Sequence, residues 1–137
     1  MDAFDADVLI HAVNAASPVG EPIRALLRHS TDASIGVGSV LLWPELLSKP
    51  LRLGAQSEAD ELLAVLGRIE LLPLDEATAR LATALGAQHG LRAADAVHLA
   101  TAVSAGADRF ITNNRKDFTA SITEIEVVYP DQLEPGP

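Results

Sequence analysis

The chain has 137 residues, is 48% apolar, and carries 19 acids against 10 bases, a net charge of −9. That length suits one domain, and the apolar content excludes a disordered chain. With no cysteine, disulfides, thiolate zinc sites, iron–sulfur clusters and a cysteine nucleophile are all excluded.

The acidity is spread out: residues 1–69 hold 9 acids and 5 bases, the remainder 10 and 5. No basic arm is present, which argues against a generic duplex-DNA coat, because such binding rests on neutralising phosphates with Lys and Arg. Nucleic acid would need a local basic patch or a bound cation. No apolar run approaches the ~20 residues of a membrane helix. The opening Met-Asp-Ala-Phe-Asp lacks the basic region of a signal peptide. These features predict a soluble, cytoplasmic domain with no membrane partner.

In chain order, residues 3–10 open with a short apolar run around Asp5, read as a first strand. Ser17-Pro18 is a helix start, Ser as N-cap and Pro in the first turn, running to about His29. Ala33–Val37 is small and β-branched, a short buried strand. Ser39 caps a helix through about Leu53, which Pro44 should kink or delay. Ser57 with Asp60 resembles a capping box and begins a helix to about Leu66, stopped by Gly67. Ile69–Leu72 is a strand. Asp75 caps a helix ending near Gly90. Ala93–Ala105 is a very apolar helix stopped by Gly106. Arg109–Thr112 and Ile125–Tyr129 are the last strands. Strands alternating with helices predict an α/β fold with a mainly parallel sheet. The domain is expected to span 1–130, with 131–137 a frayed tail.

The informative residues are acids in apolar surroundings. Asp5 and Asp7 fall at the end of the first strand and the turn after it, and open α/β sheets bind ligands beyond the carboxyl ends of strands. Asp95 is the only charged residue between Arg92 and Asp108. Glu45 stands alone in Val40-Leu-Leu-Trp-Pro-Glu-Leu-Leu. Each acid alone could cap a helix or pair with an arginine. Three together, with no nearby base inside these segments, point to a cluster. Two carboxylates ~5 Å apart repel by roughly 3 kcal/mol at an effective dielectric of 20, so a cation or shared protons must relieve them. All-oxygen ligands suit Mg²⁺ or Mn²⁺, ions that commonly serve phosphoryl chemistry. Five bases lie close in sequence to these acids: Lys49 and Arg52 follow Glu45 at i+4 and i+7, Arg92 precedes Asp95, and Arg115 and Lys116 follow the strand ending at Thr112. They are candidates to hold a substrate phosphate; solvated surface is the alternative for each. His98, one turn after Asp95, is read as a packing residue, with substrate contact or an acid role as the other options. Trp43 is read as core or dimer surface.

Four segments, in order, carry a family resemblance. Phe4-Asp5-Ala6-Asp7-Val8-Leu9-Ile10, Ser39 through Glu45-Leu46-Leu47, Ala94-Asp95-Ala96-Val97-His98-Leu99-Ala100-Thr101-Ala102, and Gly106-Ala107-Asp108-Arg109-Phe110-Ile111-Thr112-Asn113 together resemble a PIN domain, most of all the compact VapC-type toxins of toxin–antitoxin pairs. The resemblance implies a three-layer sandwich with a central parallel sheet flanked by helices, and a Mg²⁺- or Mn²⁺-dependent endoribonuclease. It implies Asp5, Glu45 and Asp95 as catalytic metal ligands, with Thr112 and Ser39 in support. The family usually has Asp two residues after the threonine; here Asn114 stands there, and Asp117 is the candidate substitute. Implied partners are an RNA substrate, a cognate antitoxin and a second copy of the chain. The apolar excess of Leu41, Leu42, Trp43, Leu46 and Leu47, and of Leu62, Leu63, Val65 and Leu66, also points to an interface.

Two other readings stay open. Asp5-Ala-Asp7 resembles the Asp-x-Asp opening of a haloacid dehalogenase-like phosphatase, whose first Asp is the nucleophile; that family places Thr where Leu9 stands. Asn114 is also compatible with a PIN domain that binds RNA or protein without cutting.

Overall fold

A computed structural model of the chain describes residues 1–133. The elements are β1 (Asp2–Phe4), α1 (Ala6–Val13), α2 (Glu21–His29), β2 (Gly36–Ser39), α3 (Leu42–Arg52), α4 (Gln56–Leu66), β3 (Ile69–Leu72), α5 (Glu76–His89), α6 (Ala93–Ser104), β4 (Arg109–Ile111), β5 (Glu126–Val128) and a 3₁₀ turn (Pro130–Gln132).

The strands form one sheet in the order β3-β2-β1-β4-β5, and every neighbouring pair is parallel. Alternation along the strands sorts the core into two layers. Phe4, Ile69, Ile111 and Val128 point to the face covered by α1–α4. Ala3, Val37 and Phe110 point to the face covered by α5 and α6, joined by Phe118, Ile122 and Ile125 from the β4–β5 connection. This is the expected three-layer sandwich. β1 lies between β2 and β4, so chain direction across the sheet reverses between β1 and β4. A crevice opens beyond the carboxyl ends of strands at such a point, and Asp5 and Thr112 are the first residues past those two ends.

Several boundaries differ from the sequence reading. The expected strand 3–10 is a three-residue strand followed by a helix. Asp5 is extended (φ −80°, ψ 161°) and its side chain accepts from the Ala6 N–H, which starts α1. Ala6, Val8, Leu9 and Ala12 are the residues α1 buries, a helical and not an alternating pattern. The next helix begins at Glu21, not Ser17, because Ser17 is used elsewhere: its hydroxyl pairs with His11 Nδ1 at 2.8 Å. Arg24 then donates to the carbonyls of His11, Ala12, Asn14 and Ser17, satisfying the exposed end of α1. Gly20 is required there, since a Cβ would sit 2.0 Å from the His11 carbonyl oxygen.

The second strand starts at Gly36, later than expected. Pro44 causes no kink, because it lies in the first turn of α3, where its missing N–H has no helical partner to lose. The Ser57 capping box does not form; α4 begins at Gln56, whose amide donates to Asp60. Asp75 does cap α5, accepting from the Thr78 N–H, and Gly90 ends it in the left-handed region at φ 67°, which glycine adopts without steric cost. The supposed apolar excess of α3 and α4 is mostly core: Leu42, Leu46, Leu47, Leu62, Val65 and Leu66 are buried, leaving Trp43 and Leu63 exposed. The packed body also runs past residue 130. Leu133 is buried in the α1–α4 layer and Asp131 pairs with Arg115; the rest of the expected tail, residues 134–137, lies outside the described residues.

Candidate active site

Asp5 is 5% exposed and Thr112 fully buried. The Thr112 hydroxyl donates to Asp5 Oδ2 at 2.8 Å, while Asp5 Oδ1 accepts from the Ala6 N–H at 2.8 Å. One carboxylate is therefore fixed between the ends of β1 and β4. Burial holds its pKa above the usual carboxylate range; His98, Thr112 and Ala6 oppose that shift and Glu45 adds to it.

Asp95, in the first turn of α6, also has a raised pKa, from burial and then from Asp5, Asp117 and Glu45, with His98 opposing. Asp7 is pushed up to about 6, by burial, then by Asp5 and Asp95 against hydrogen bonds from Asn113 and Val8. The Asn113 N–H reaches both Asp7 oxygens at 3.2 and 3.1 Å. Asp5, Glu45 and Asp95 thus act on one another electrostatically, Asp7 feels Asp5 and Asp95, and Asp117 acts on Asp95. Like charges in partly dry surroundings disfavour joint ionisation. Among the described residues no group of three or more His, Asp or Glu side chains is placed to hold a metal ion. Instead, Asp5, Asp7, Glu45 and Asp117 are each held by a protein donor.

Glu45 is held by His98. His98 is 2% exposed, and its Nε2 lies 3.1 Å from Glu45 Oε1, whose side chain is 29% exposed. The Nδ1 of His98 is buried without a partner. Burial works against protonation of His98, but Glu45, Asp5 and Asp95 outweigh it and raise its pKa. The reading of His98 as packing is incomplete: it is packed, and it also bridges α6 to the glutamate of α3. Its spacing from Asp95 was the available signal. Asp7, in the first turn of α1, joins the site residues; its position two residues after Asp5 is the sequence signal for it.

Asn114 donates from Nδ2 to Asp117 Oδ2 at 3.0 Å, and its Oδ1 accepts from the Asp117 N–H at 3.3 Å. Its own N–H donates to Thr112 Oγ1 at 3.1 Å. The neutral amide therefore holds the nearby acid. Ser39 is buried and its hydroxyl accepts from the Leu41 N–H at 3.1 Å, shaping the turn into α3. Of the five bases, Arg115 lies 2.7 Å from Asp131 and over the Tyr129 ring at 4.3 Å. Lys49, Arg52, Arg92 and Lys116 are exposed.

The fold is a parallel α/β sheet whose acids lie at the switch point between β1 and β4, the place where open α/β sheets bind ligands. The chain belongs to the PIN domain family, whose sequence profile matches residues 3–121. Its fold resembles that of a toxin–antitoxin complex from Klebsiella pneumoniae, with a TM-score of 0.74 and 24% identity over 95% of this chain and 98% of that one. It also resembles VapBC2 from Rickettsia felis, a structure bound to a promoter DNA fragment, with a TM-score of 0.69 and 18% identity over 93% and 97% of the two chains. No curated protein matches it in sequence. No helix among the described residues is long and apolar enough to cross a membrane.

Proposed function

We propose that this PIN domain is a metal-dependent endoribonuclease, the toxin of a toxin–antitoxin pair, hydrolysing RNA phosphodiesters at the Asp5–Glu45–Asp95 cluster. The supporting observation is the buried Asp5 at the switch point, hydrogen-bonded to Thr112 and repelled by Glu45. The donors are oxygen atoms throughout, which suits a hard cation; burial first, and then neighbouring carboxylates, raise the pKa of Asp5 and Asp95. Asp5, Asp95 and Glu45 would hold Mg²⁺ or Mn²⁺, with Asp117 as a further ligand. Such an ion, when bound, polarises a phosphate oxygen and lowers the pKa of a water. The chain's own residues supply position. Thr112 fixes Asp5, His98 fixes Glu45, and Asn114 fixes Asp117. Lys49, Arg52, Arg92, Arg115 and Lys116 are the candidates for steering phosphate to a chain of net charge −9. The fold likeness to toxin–antitoxin complexes supports an antitoxin partner and a cytoplasmic setting. The exposed Trp43 and Leu63 support a homodimer contact.

The test is cleavage of single-stranded RNA with and without chelator, with metal restored by titration. Metal-dependent cleavage supports the reading. Tight RNA or protein binding with no cleavage at any metal concentration would instead make this a binding module.

Two variants probe the positioning residues. His98→Ala should release Glu45 and cut cleavage by roughly ten- to a hundredfold, in the range of losses seen on removing groups that orient metal ligands. His98→Gln, which keeps a donor at similar reach, should recover part of it. Equal losses in both would assign His98 to packing alone. Asp117→Asn should weaken Mn²⁺ binding in calorimetry by roughly tenfold, about 1.4 kcal/mol. Asn114→Asp in that background should restore it, whereas in the parent chain it places two carboxylates where the amide now bridges at 3.0 Å. Unchanged affinity in Asp117→Asn would leave a three-carboxylate centre.

A further inference from the structure

Beside the acid cluster, the carboxyl edge of the sheet opens into a second cleft of about 260 Å³. Pro18 from the α1–α2 connection, Pro22 in the first turn of α2 and Pro130 after β5 line it, with Asn113, Arg115 and Asp131 as its polar residues. Asn113 links the cleft to the acids through its backbone. The Asn113 backbone N–H holds both Asp7 oxygens, and the preceding residue, Thr112, holds Asp5. A nucleotide next to a phosphate on the acids is within reach of Asn113, whose backbone N–H contacts Asp7.

The lining suits a base. Proline rings offer flat apolar surface without hydrogen-bonding groups, which favours an unpaired aromatic face over a hydrated one. The Asn113 side chain makes no hydrogen bond among the described residues, so its amide presents a donor and an acceptor together, the combination that reads a base edge. Arg115 is held in place by Tyr129 at 4.3 Å and by Asp131 at 2.7 Å. A side chain already ordered loses less entropy on binding. Sequence-specific RNA recognition targets unpaired, splayed bases in this way.

We infer that this cleft is a base-binding subsite that seats the unpaired RNA base next to the cleaved phosphodiester, with Asn113 reading its edge. This rests on the ribonuclease reading above. It gives the domain a sequence preference at one flanking position, set by side chains outside the acid cluster.

The binding experiment uses the Asp5→Asn protein, which should not cut, and short single-stranded RNAs with 2-aminopurine at successive positions. A rise in fluorescence is expected at one position only, because a base lodged between prolines leaves the stack that quenches it. Val19→Phe, which fills the same cleft from its wall, should remove that rise. In the cleaving protein, Asn113→Ala should relax the preference at the flanking base by about tenfold, with the loss falling on KM more than on kcat. Asn113→Gln should shift the preference and not erase it. RNA that is cleaved with the same base preference in both Asn113 variants, or a fluorescence rise spread over every position, overturns the subsite and leaves the nuclease intact. Absence of RNA cleavage and RNA binding in the parent protein overturns the ribonuclease reading, and this inference with it. A peptide partner that occupies the cleft while RNA cleavage and preference are unchanged also overturns it.

Discussion

Asp5→Asn is expected to lower RNA cleavage by at least about a thousandfold, equivalent to about 4 kcal/mol of transition-state stabilisation, while the fold persists. The substitution keeps the shape and removes the charge. Thr112 can still donate to the remaining carbonyl oxygen, since the carboxylate now accepts at Oδ2. The Ala6 N–H loses its charged acceptor at Oδ1, a helix-cap loss of roughly 1 kcal/mol. Against that, one member of a mutually repelling group becomes neutral, relieving Asp7 and Asp95, both of which Asp5 pushes upward. Thermal melts should therefore move by only a few degrees while single-turnover cleavage collapses and Mn²⁺ binding weakens. Loss of cleavage with unchanged metal affinity would move Asp5 from ligand to scaffold. Full cleavage would remove the acid cluster from the chemistry altogether.

The layer architecture was legible because strand and helix periods alternate cleanly after residue 33. Asp75 and Gly90 mark α5 through local chemistry alone, a side-chain cap and a left-handed stop. The first ten residues misled because β1 has only three residues and its apolar run continues without a break into α1. What separates the two is Asp5, whose carboxylate takes the first helical N–H. A cap inside an apolar run looks the same in sequence as a charged residue on a strand. Ser17 and Ser57 show the converse. Both have the right residue type for a cap, yet tertiary partners or a neighbour decide the start: Ser17 pairs with His11, and α4 begins one residue before Ser57.

The site was legible as three acids and a threonine but not as a network. The His98–Glu45 bridge joins residues 53 apart in sequence, and the Thr112–Asp5 bond joins residues 107 apart. No periodicity encodes such contacts. They follow from the parallel register of β1 on β4, which pairs Phe4 with Ile111 and so puts the next residue of each strand side by side.

Asp7→Asn should make the metal-free protein more stable at neutral pH, and the sign follows from its titration. Its pKa in the folded chain is pushed up to about 6 from 3.8. Between those values the folded state holds more protons than the unfolded state, so stability falls as pH rises through the window. Below about pH 4 the acid is protonated in both states and the penalty is absent; above about pH 6 it is present in full. The shift corresponds to roughly 2–3 kcal/mol at about 1.4 kcal/mol per unit. Asparagine carries no such charge and retains one acceptor for the Asn113 N–H. The variant should therefore melt roughly 6–12 °C higher than the parent at pH 7.5 in chelator, by the usual relation for a domain of this size. At pH 4 the two should differ little. Part of the penalty comes from Asp5 and Asp95, so Asp5→Asn alone should shift the window downward, and the double variant should gain less than the sum of the two. Mn²⁺ should narrow the gap between parent and Asp7→Asn, because added positive charge at the cluster favours the ionised acid. Parallel melting curves for parent and variant from pH 4 to 8 would mean that Asp7 meets water well enough to ionise freely, and that the repulsion at this end of the sheet is confined to the acids on α3 and α6 and the cap of α1.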